Sequence, residues 1–405
     1  MTALRKDSLL RLHDCLKAVI YLLNLPLFWL TRLTPRRRRR WVFGAWQGRR
    51  YADNPRHFAE YVSRADPSVE CIWVATSSSA VAEAEIAGLR AVRAYSLAGY
   101  WLTATAELAI IANGVDDVNR YVCPPRVVNL WHGAALIKQI GCNSRLLETR
   151  DRTPGLLSRI FPFHRGWPAM GYIAGSDMEA EHLRSAFSVE RSRIFVTGYP
   201  RADILVRQQG RLSSGAPLNI LYAPTFRDLD PLLPLTMIRE NLRVITEGLK
   251  QLNAVLHVRL HPNTLSAAER IHDRIRVNAP PADGPDVNMI LCDMDVLITD
   301  YSSVFVDFLL TGRPIVFAPF DLSAYRQQER ELAAGYGDAS LTPGPICDDW
   351  EAVIEALALF SQGEDRWEAA RRSSLEDLCS RRDGKSCARV LEMVNSLSDR
   401  VAEVW

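Results

Sequence analysis

The chain has 405 residues, of which 48% are hydrophobic and 24% charged, the balance of a folded protein and not of a disordered or low-complexity one. Its formal net charge of +2 excludes a chain-wide polyanion binder. At ~150 residues per domain the length implies two or three domains.

Residues 1–40 hold ten Lys or Arg against two Asp or Glu, a balance of +8, and the other 39 basic and 45 acidic residues leave the body at −6. Residues 18–30 form an apolar run of 13, short of the ~20 that a spanning helix needs. Upstream, Leu9, Leu12, Leu16 and Ile20 recur near helical spacing, and the basic run Arg36–Arg40 follows downstream. A secretory signal carries its basic residues first and a small-residue cleavage site last. Here the order is reversed. The pattern predicts an interfacial helix plus polybasic patch over 1–40, docked on the anionic cytoplasmic face of a membrane with Tyr21 and Trp29 at headgroup level. A core-docked helix followed by a solvated arginine run is the alternative. Nucleic acid is not an expected partner, because no aromatic-interleaved groove accompanies the arginines.

Beyond residue 40, short apolar runs alternate with longer helical stretches. Strands are predicted at Trp41–Trp46, Cys71–Ala75, Leu108–Ala112, Val127–Trp131, Tyr172–Ala174 and Ile194–Thr197. More follow at Ile220–Ala223, Val255–Leu260, Met289–Cys292, Val296–Thr299 and Ile315–Ala318. Their continuous Val/Ile character suits strands buried on both faces of a parallel sheet. Helices are predicted at Asp177–Phe187, Pro234–Gln251 and Ser303–Leu310. Alternating units of this kind give an α/β fold of two Rossmann-like, doubly wound domains facing a cleft. The expected division is a 1–40 membrane segment, a 41–195 acceptor domain, a 196–365 nucleotide domain and 366–405 helices packing back on the first domain. The eight cysteines show no CxxC or zinc-finger spacing, which points to a reducing, cytosolic compartment without disulfides or a metal site.

Four strand ends carry chemistry. The run Val127–Trp131 ends at His132-Gly133, where an imidazole can act as general base and Gly133 allows close approach of a ligand; Lys138 follows. The run Leu221–Ala223 ends in a turn with Thr225 and Arg227, a hydroxyl and a guanidinium suited to phosphate. Alternation places Arg259 and His261 on one side of their strand, a cationic pair fit for a diphosphate leaving group. The run Asp295–Thr299 leads to Ser302 and Ser303 at a helix start, an anion-binding arrangement. GxGxxG is missing at that strand end, and GxxxxGK[ST], HExxH and GxSxG are missing throughout, which excludes several common nucleotide, zinc and hydrolase sites.

In order, NLWHG (129–133), YIAGSD (172–177), GYPRADIL (198–205), ILYAPTFRD (220–228), RLHPN (259–263), LITDYSSVFVDF (297–308) and RPIVFAPFDLSAYR (313–326) resemble the CDP-glycerol glycerophosphotransferase family. The resemblance spans roughly 125–340. It implies a GT-B-like architecture and transfer of glycerol phosphate from CDP-glycerol to a hydroxyl of a lipid-linked or polymeric acceptor, releasing CMP, in teichoic acid or capsule-type synthesis. It implies His132 as base and His261 near the diphosphate. Thr225, Arg227, Ser302 and Ser303 then line the donor site, and Glu329 reaches the ribose or cytosine. After WHG the family commonly carries a Thr-Pro-Leu-Lys-Lys-like run where this chain has Ala134–Lys138, so Lys138 stands as a candidate phosphate or acceptor contact. Mg²⁺ with the diphosphate is compatible with this chemistry. The rival readings are a GT-B enzyme using a nucleotide sugar and an inactive, membrane-docked scaffold.

Overall fold

A computed structural model describes residues 19–123, 125–144, 168–207, 217–260, 264, 269–277, 286–329, 331–333 and 335–402. His261, residues 1–18 and most of the segment linking the two halves lie outside the described residues. The chain divides into two compact units: Met1–Tyr51, Ala59–Leu130 and Asp151–Met170 form the first, and Ala52–Phe58, Trp131–Arg150 and Gly171–Trp405 the second.

In the first unit, residues 19–31 form helix α1. Strand β1 (Arg37–Phe43) follows, and helix α2 (Asp53–Ala65) begins in the stretch that belongs to the second unit. Next come β2 (Glu70–Ala75), α3 (Ser78–Ile86), β3 (Arg90–Arg93), α4 (Leu97–Ala104), β4 (Ala106–Ile111) and β5 (Arg126–Asn129). Serine side chains start two of the helices: Ser77 accepts from Ala80 N and Ser96 from Gly99 N. The strands run parallel in the order β3-β2-β1-β4-β5. Trp41, Val42, Phe43, Trp73, Val74, Ile110 and Val128 are buried in them, as expected of strands covered on both faces. The strand order reverses between β1 and β4, the kind of position where doubly wound sheets bind ligands.

The arginine run does not form a detached patch. Arg37–Arg40 open β1, four residues earlier than the hydrophobic pattern suggests. Arg39 donates to Asp66 Oδ2 at 2.9 Å, and Arg40 to Glu70 Oε2 at 2.8 Å and Thr105 Oγ1 at 2.6 Å. Arg36 donates to the carbonyls of Ala104 and Cys123. Of the two aromatics assigned to a headgroup layer, Tyr21 is buried with Phe28, packed by Leu25 and Tyr121, whereas Trp29 is exposed.

In the second unit, to which β6 (Ala169–Ala174) belongs from Gly171 on, β6 pairs in parallel with β7 (Ile194–Val196), and helix α5 (Asp177–Phe187) connects them. A six-stranded sheet follows: β8 (Leu218–Ala223), β9 (Ala254–Val258), β10 (Glu269–His272), β11 (Ile275–Val277), β12 (Val296–Thr299) and β13 (Ile315–Phe317), in the order β10-β11-β9-β8-β12-β13. All neighbours are parallel except β10 and β11. The apolar faces of α6 (Leu233–Glu240), α7 (Leu242–Gln251) and the helix Trp350–Ser361 cover one side, with Leu235, Ile238, Ile245, Leu249, Trp350, Val353 and Leu357 in one core. A stretch expected to be one helix, Pro234–Gln251, is thus two. The predicted strand Met289–Cys292 is a helix, α8 (Val287–Leu291), because the Asp286 side chain accepts from Asn288 N and starts a turn there. A four-residue apolar run carries no period long enough to tell the two apart. Helix α9 (Val304–Leu309) follows the Ser302–Ser303 turn.

Candidate functional site

The centre of the site is the turn after β5. Leu130 N donates to Ile111 O and keeps the chain in the sheet. Trp131 then takes a left-handed conformation, φ 52°, and Gly133 stands at φ 155°. A Cβ on Gly133 would lie 3.0 Å from Ser303 Oγ and 3.3 Å from Arg201 Nη2. This residue is glycine because two side chains occupy the space a methyl group needs. The Trp131 and His132 rings lie 4.1 Å apart, and Phe187 meets the Trp131 ring edge-on at 4.9 Å. His132 is half-buried at the strand end.

Side chains from three other segments of the second unit hold this turn. Asn54 Nδ2 donates to Trp131 O at 3.0 Å, and Arg201 Nη1 donates to His132 O at 2.7 Å. Tyr199 OH donates to Glu179 Oε1 at 2.6 Å and approaches Gly133 O at 3.4 Å. Glu179 accepts in turn from Ala135 N at 2.6 Å and Gly175 N at 2.8 Å. Burial raises the Glu179 carboxyl above the usual range, against these three donors. Glu179 is fully buried on α5, the first helix after β6.

Arg201 is the hub. It enters through Pro200, which opens a short turn, and only 5% of it is exposed. Its guanidinium donates to Asp53 Oδ1 at 2.9 Å and Asp307 Oδ2 at 2.7 Å as well as to His132 O. Burial alone lowers its affinity for a proton, but Asp307 and Asp53 carry it well above the ordinary arginine value. Behind it, Asp53, left-handed at φ 68°, donates its N–H to Asp286 Oδ2 at 2.6 Å, and His57 Nε2 stands 3.5 Å from the same carboxylate. Burial raises Asp286, but the neighbouring His57, the Asp53 N–H and Arg201 win and hold it well below the carboxylate range.

A second cluster surrounds Arg227. Its Nε and Nη2 donate to Asp321 at 2.7 and 2.8 Å, Nη2 also to Asp300 Oδ2 at 2.8 Å, and Nη1 to Thr225 O at 2.7 Å. The rings of Tyr301 and Tyr325, stacked 4.0 Å apart, lie 5.1 and 4.9 Å from the guanidinium. This arginine is a buried clamp neutralised by two carboxylates. Asp300 Oδ1 accepts from Thr225 N at 2.8 Å, so the clamp fixes the turn that carries the threonine. Thr225 Oγ1 is buried and has no hydrogen-bond partner among the described residues, the condition of a group waiting for a polar ligand.

The remaining candidates surround these clusters. Lys138 bridges to Leu332, and its Nζ lies 6.0 Å from the Tyr325 ring. The Glu329 carboxylate accepts from Asp228 N at 2.7 Å and Leu229 N at 3.0 Å, closing the turn beyond Arg227. Arg259 is buried just past β9, and its N–H donates to Tyr222 O on β8 at 2.8 Å. Ser302 and Ser303 are half-buried, with Ser303 against Gly133. The structure therefore brings His132, Gly133 and Ser303 together, sets Arg227 and Lys138 beside one tyrosine pair and ties Thr225 to Arg227.

Sequence reasoning assigned no role to Asp53, Asn54, Glu179, Tyr199, Arg201 or Asp307. The available signal was local: an arginine directly after Gly-Tyr-Pro, and an aspartate inside the apolar run Val304–Leu309.

Residues 27–396 match the family described as CDP-glycerol:poly(glycerophosphate) glycerophosphotransferase. A teichoic acid glycerol-phosphate transferase of Staphylococcus aureus is 25% identical over 370 residues, 87% of this chain and 92% of that one. A teichoic acid glycerol-phosphate primase of Bacillus subtilis is 31% identical over 245 residues, 57% of this chain and 59% of that one. The structure of the wall teichoic acid polymerase TagF superposes with a TM-score of 0.72 at 20% identity, covering 96% of this chain and 98% of that one. The fold is of the GT-B-like α/β class, which TagF and a calicheamicin glycosyltransferase, TM-score 0.50, also adopt.

Proposed function

The chain belongs to the CDP-glycerol:poly(glycerophosphate) glycerophosphotransferase family, and from that premise we propose that it transfers glycerol phosphate from CDP-glycerol to an acceptor hydroxyl in teichoic acid synthesis, releasing CMP. The observation that carries this reading is the family match over 27–396, which contains every residue given a role in the transfer itself.

The reaction is an in-line displacement at the β-phosphorus, the one bearing glycerol. His132 takes the proton from the acceptor hydroxyl. The new bond forms from that oxygen to phosphorus, and the bond to CMP breaks, its electron pair leaving with CMP. Thr225, Ser302, Ser303 and Arg259 meet the diphosphate and stabilise the charge that grows on the departing group, the role the family resemblance also implies for His261. Arg227 with Asp300 and Asp321 keeps Thr225 in place, and Lys138, beside the Tyr325 ring, is the candidate phosphate or acceptor contact. The half-buried imidazole at a strand end and the unpaired Thr225 hydroxyl support these roles. The deciding assay is CMP release from CDP-glycerol with a lipid-linked acceptor. His132→Ala lowers the rate by about 10²–10⁴-fold if the imidazole is the base; near-wild-type turnover overturns that assignment. Incorporation of sugar without glycerol phosphate overturns the donor.

The same reading puts the enzyme at the cytoplasmic face of the membrane, where a lipid-linked acceptor would lie, held peripherally by α1. Among the described residues no helix is long and apolar enough to cross a membrane. Leu22, Leu23, Trp29, Leu30 and Leu33 are exposed, and so are Leu97 and Trp101 on α4, which the Tyr100 OH to Asn24 Oδ1 bond of 2.6 Å ties to α1. Exposed Arg32 and Arg38 lie nearby in sequence and suit anionic headgroups. Binding to phosphatidylglycerol vesicles with a blue shift of tryptophan emission supports this docking; equal partitioning of wild type and Leu23→Asp/Leu30→Asp overturns it.

A further inference from the structure

We propose that Arg201 is a positioning residue for the transfer: through the His132 carbonyl it fixes the imidazole relative to the helix that Ser302 and Ser303 begin. The inference rests on His132 being the base. Trp131 is left-handed, a conformation that persists only where surrounding contacts over-determine it. The turn it opens is held at Trp131 O by Asn54, at His132 O by Arg201 and at Ala135 N by Glu179. Arg201 also reaches the second half of the site. One nitrogen is shared between His132 O and Asp53 Oδ1, and the other takes Asp307 Oδ2 on α9, the helix directly after Ser303. Gly133 is pinned against both: a Cβ there would meet Ser303 Oγ and Arg201 Nη2.

A planar guanidinium serves three acceptors in one fixed fork, which an ammonium on a flexible stem cannot reproduce. The three acceptors come from segments far apart in sequence: residues 53, 132 and 307. Arg201 thus converts the packing of the second unit into one distance, that between the imidazole and the helix start. A misplacement of about 1 Å costs about 10²-fold in rate.

The test is a double-mutant cycle. Arg201→Lys keeps the charge and loses the fork. It lowers kcat about 10²-fold with the KM for CDP-glycerol unchanged, and His132→Ala/Arg201→Lys turns over no more slowly than His132→Ala alone. Should Arg201→Lys fail to fold, Asp53→Asn/Arg201→Met/Asp307→Asn removes the whole charge set together and leaves no buried ion unpaired; the same rate loss and the same lack of additivity are expected. A folded variant with kcat within threefold of wild type overturns the proposal, and so does a double variant in which the two losses multiply. Retained turnover in His132→Ala is a separate result: it removes the base itself, whatever Arg201 does.

Discussion

Two strand-end turns, one in each unit, carry left-handed residues that are not glycine, and they are fastened by opposite charges. In the first unit Trp46 and Gln47 stand at φ 51° and 57° beyond β1. Asn113 Oδ1 accepts from Trp46 N at 3.3 Å, and Asp117 Oδ1 accepts from Gln47 N at 2.7 Å. The other Asp117 oxygen gathers Ala112 N at 2.9 Å, Asn113 N at 2.6 Å and Gly114 N at 3.3 Å. In the second unit the turn at 131–133 is gripped by its carbonyls, through Asn54 and the Arg201 cation. An anion that collects N–H groups ties together the ends of β1 and β4 and needs no counter-charge. A cation that collects carbonyls must itself be neutralised, and Asp53 and Asp307 do so. The first device acts on a local loop. The second links distant segments, and for that reason it can transmit position to a reacting group.

The largest effect that tests this contrast is Asp117→Ala. It takes the acceptor from four backbone N–H groups, the buried Ala112 among them, and each buried donor left unpaired costs about 1–3 kcal/mol. Stability measured by urea melts should fall by several kcal/mol. A loss below about 1 kcal/mol would show that the turn does not depend on the carboxylate. The pH dependence sharpens the point. Burial pushes Asp117 up to about 6 from 3.8, with the four N–H bonds pulling the other way. A folded-state pKa above the unfolded one means that the stability it contributes is fully present below about 3.8 and is lost as pH rises through about 6. Asp117→Asn should therefore cost more at about pH 4.5 than at about pH 7, read from paired urea melts; a pH-independent cost contradicts the buried-carboxyl account.

Next in size is Gly133→Ala. The added methyl group meets Ser303 Oγ and the Arg201 nitrogen held by Asp307, on a guanidinium that Asp53 grips through its other terminal nitrogen. Turnover should drop about 10²-fold, with the melting temperature within a few degrees of wild type. Unchanged turnover would mean that the turn tolerates displacement, and the second unit's fastening would then be no tighter than the first's.

How far the sequence showed this depends on range. The strands β4 and β12 were legible because Leu-Ala-Ile-Ile and Val-Leu-Ile-Thr leave no polar face. Strand β3, Arg90–Arg93, has only two apolar residues and is hidden, and so is the β10–β11 pair with its His and Arg residues. The Arg36–Arg40 run read as a free basic patch since its carboxylate partners, Asp66 and Glu70, lie about 30 residues away. The site divides in the same manner. His132, Thr225 and Ser303 stand at ends of runs that periodicity marks. Arg201 reaches His132 across 69 residues and Asp307 across 106, and no local pattern encodes such a meeting.

The smallest effect has the opposite sign. Gln47 is exposed, and what the turn uses from it is its backbone: its N–H goes to Asp117 and its carbonyl accepts from Thr76 Oγ1 at 3.0 Å. A side chain in the left-handed region costs roughly 1–2 kcal/mol that glycine avoids, while glycine gives back part of that through the freer unfolded chain. Gln47→Gly should then raise stability, by about 1 kcal/mol or less, and leave both backbone bonds in place. A fall in stability would show that the glutamine side chain, and not the Asp117 carboxylate, holds the first turn. The two turns would then no longer differ by the charge that fastens them.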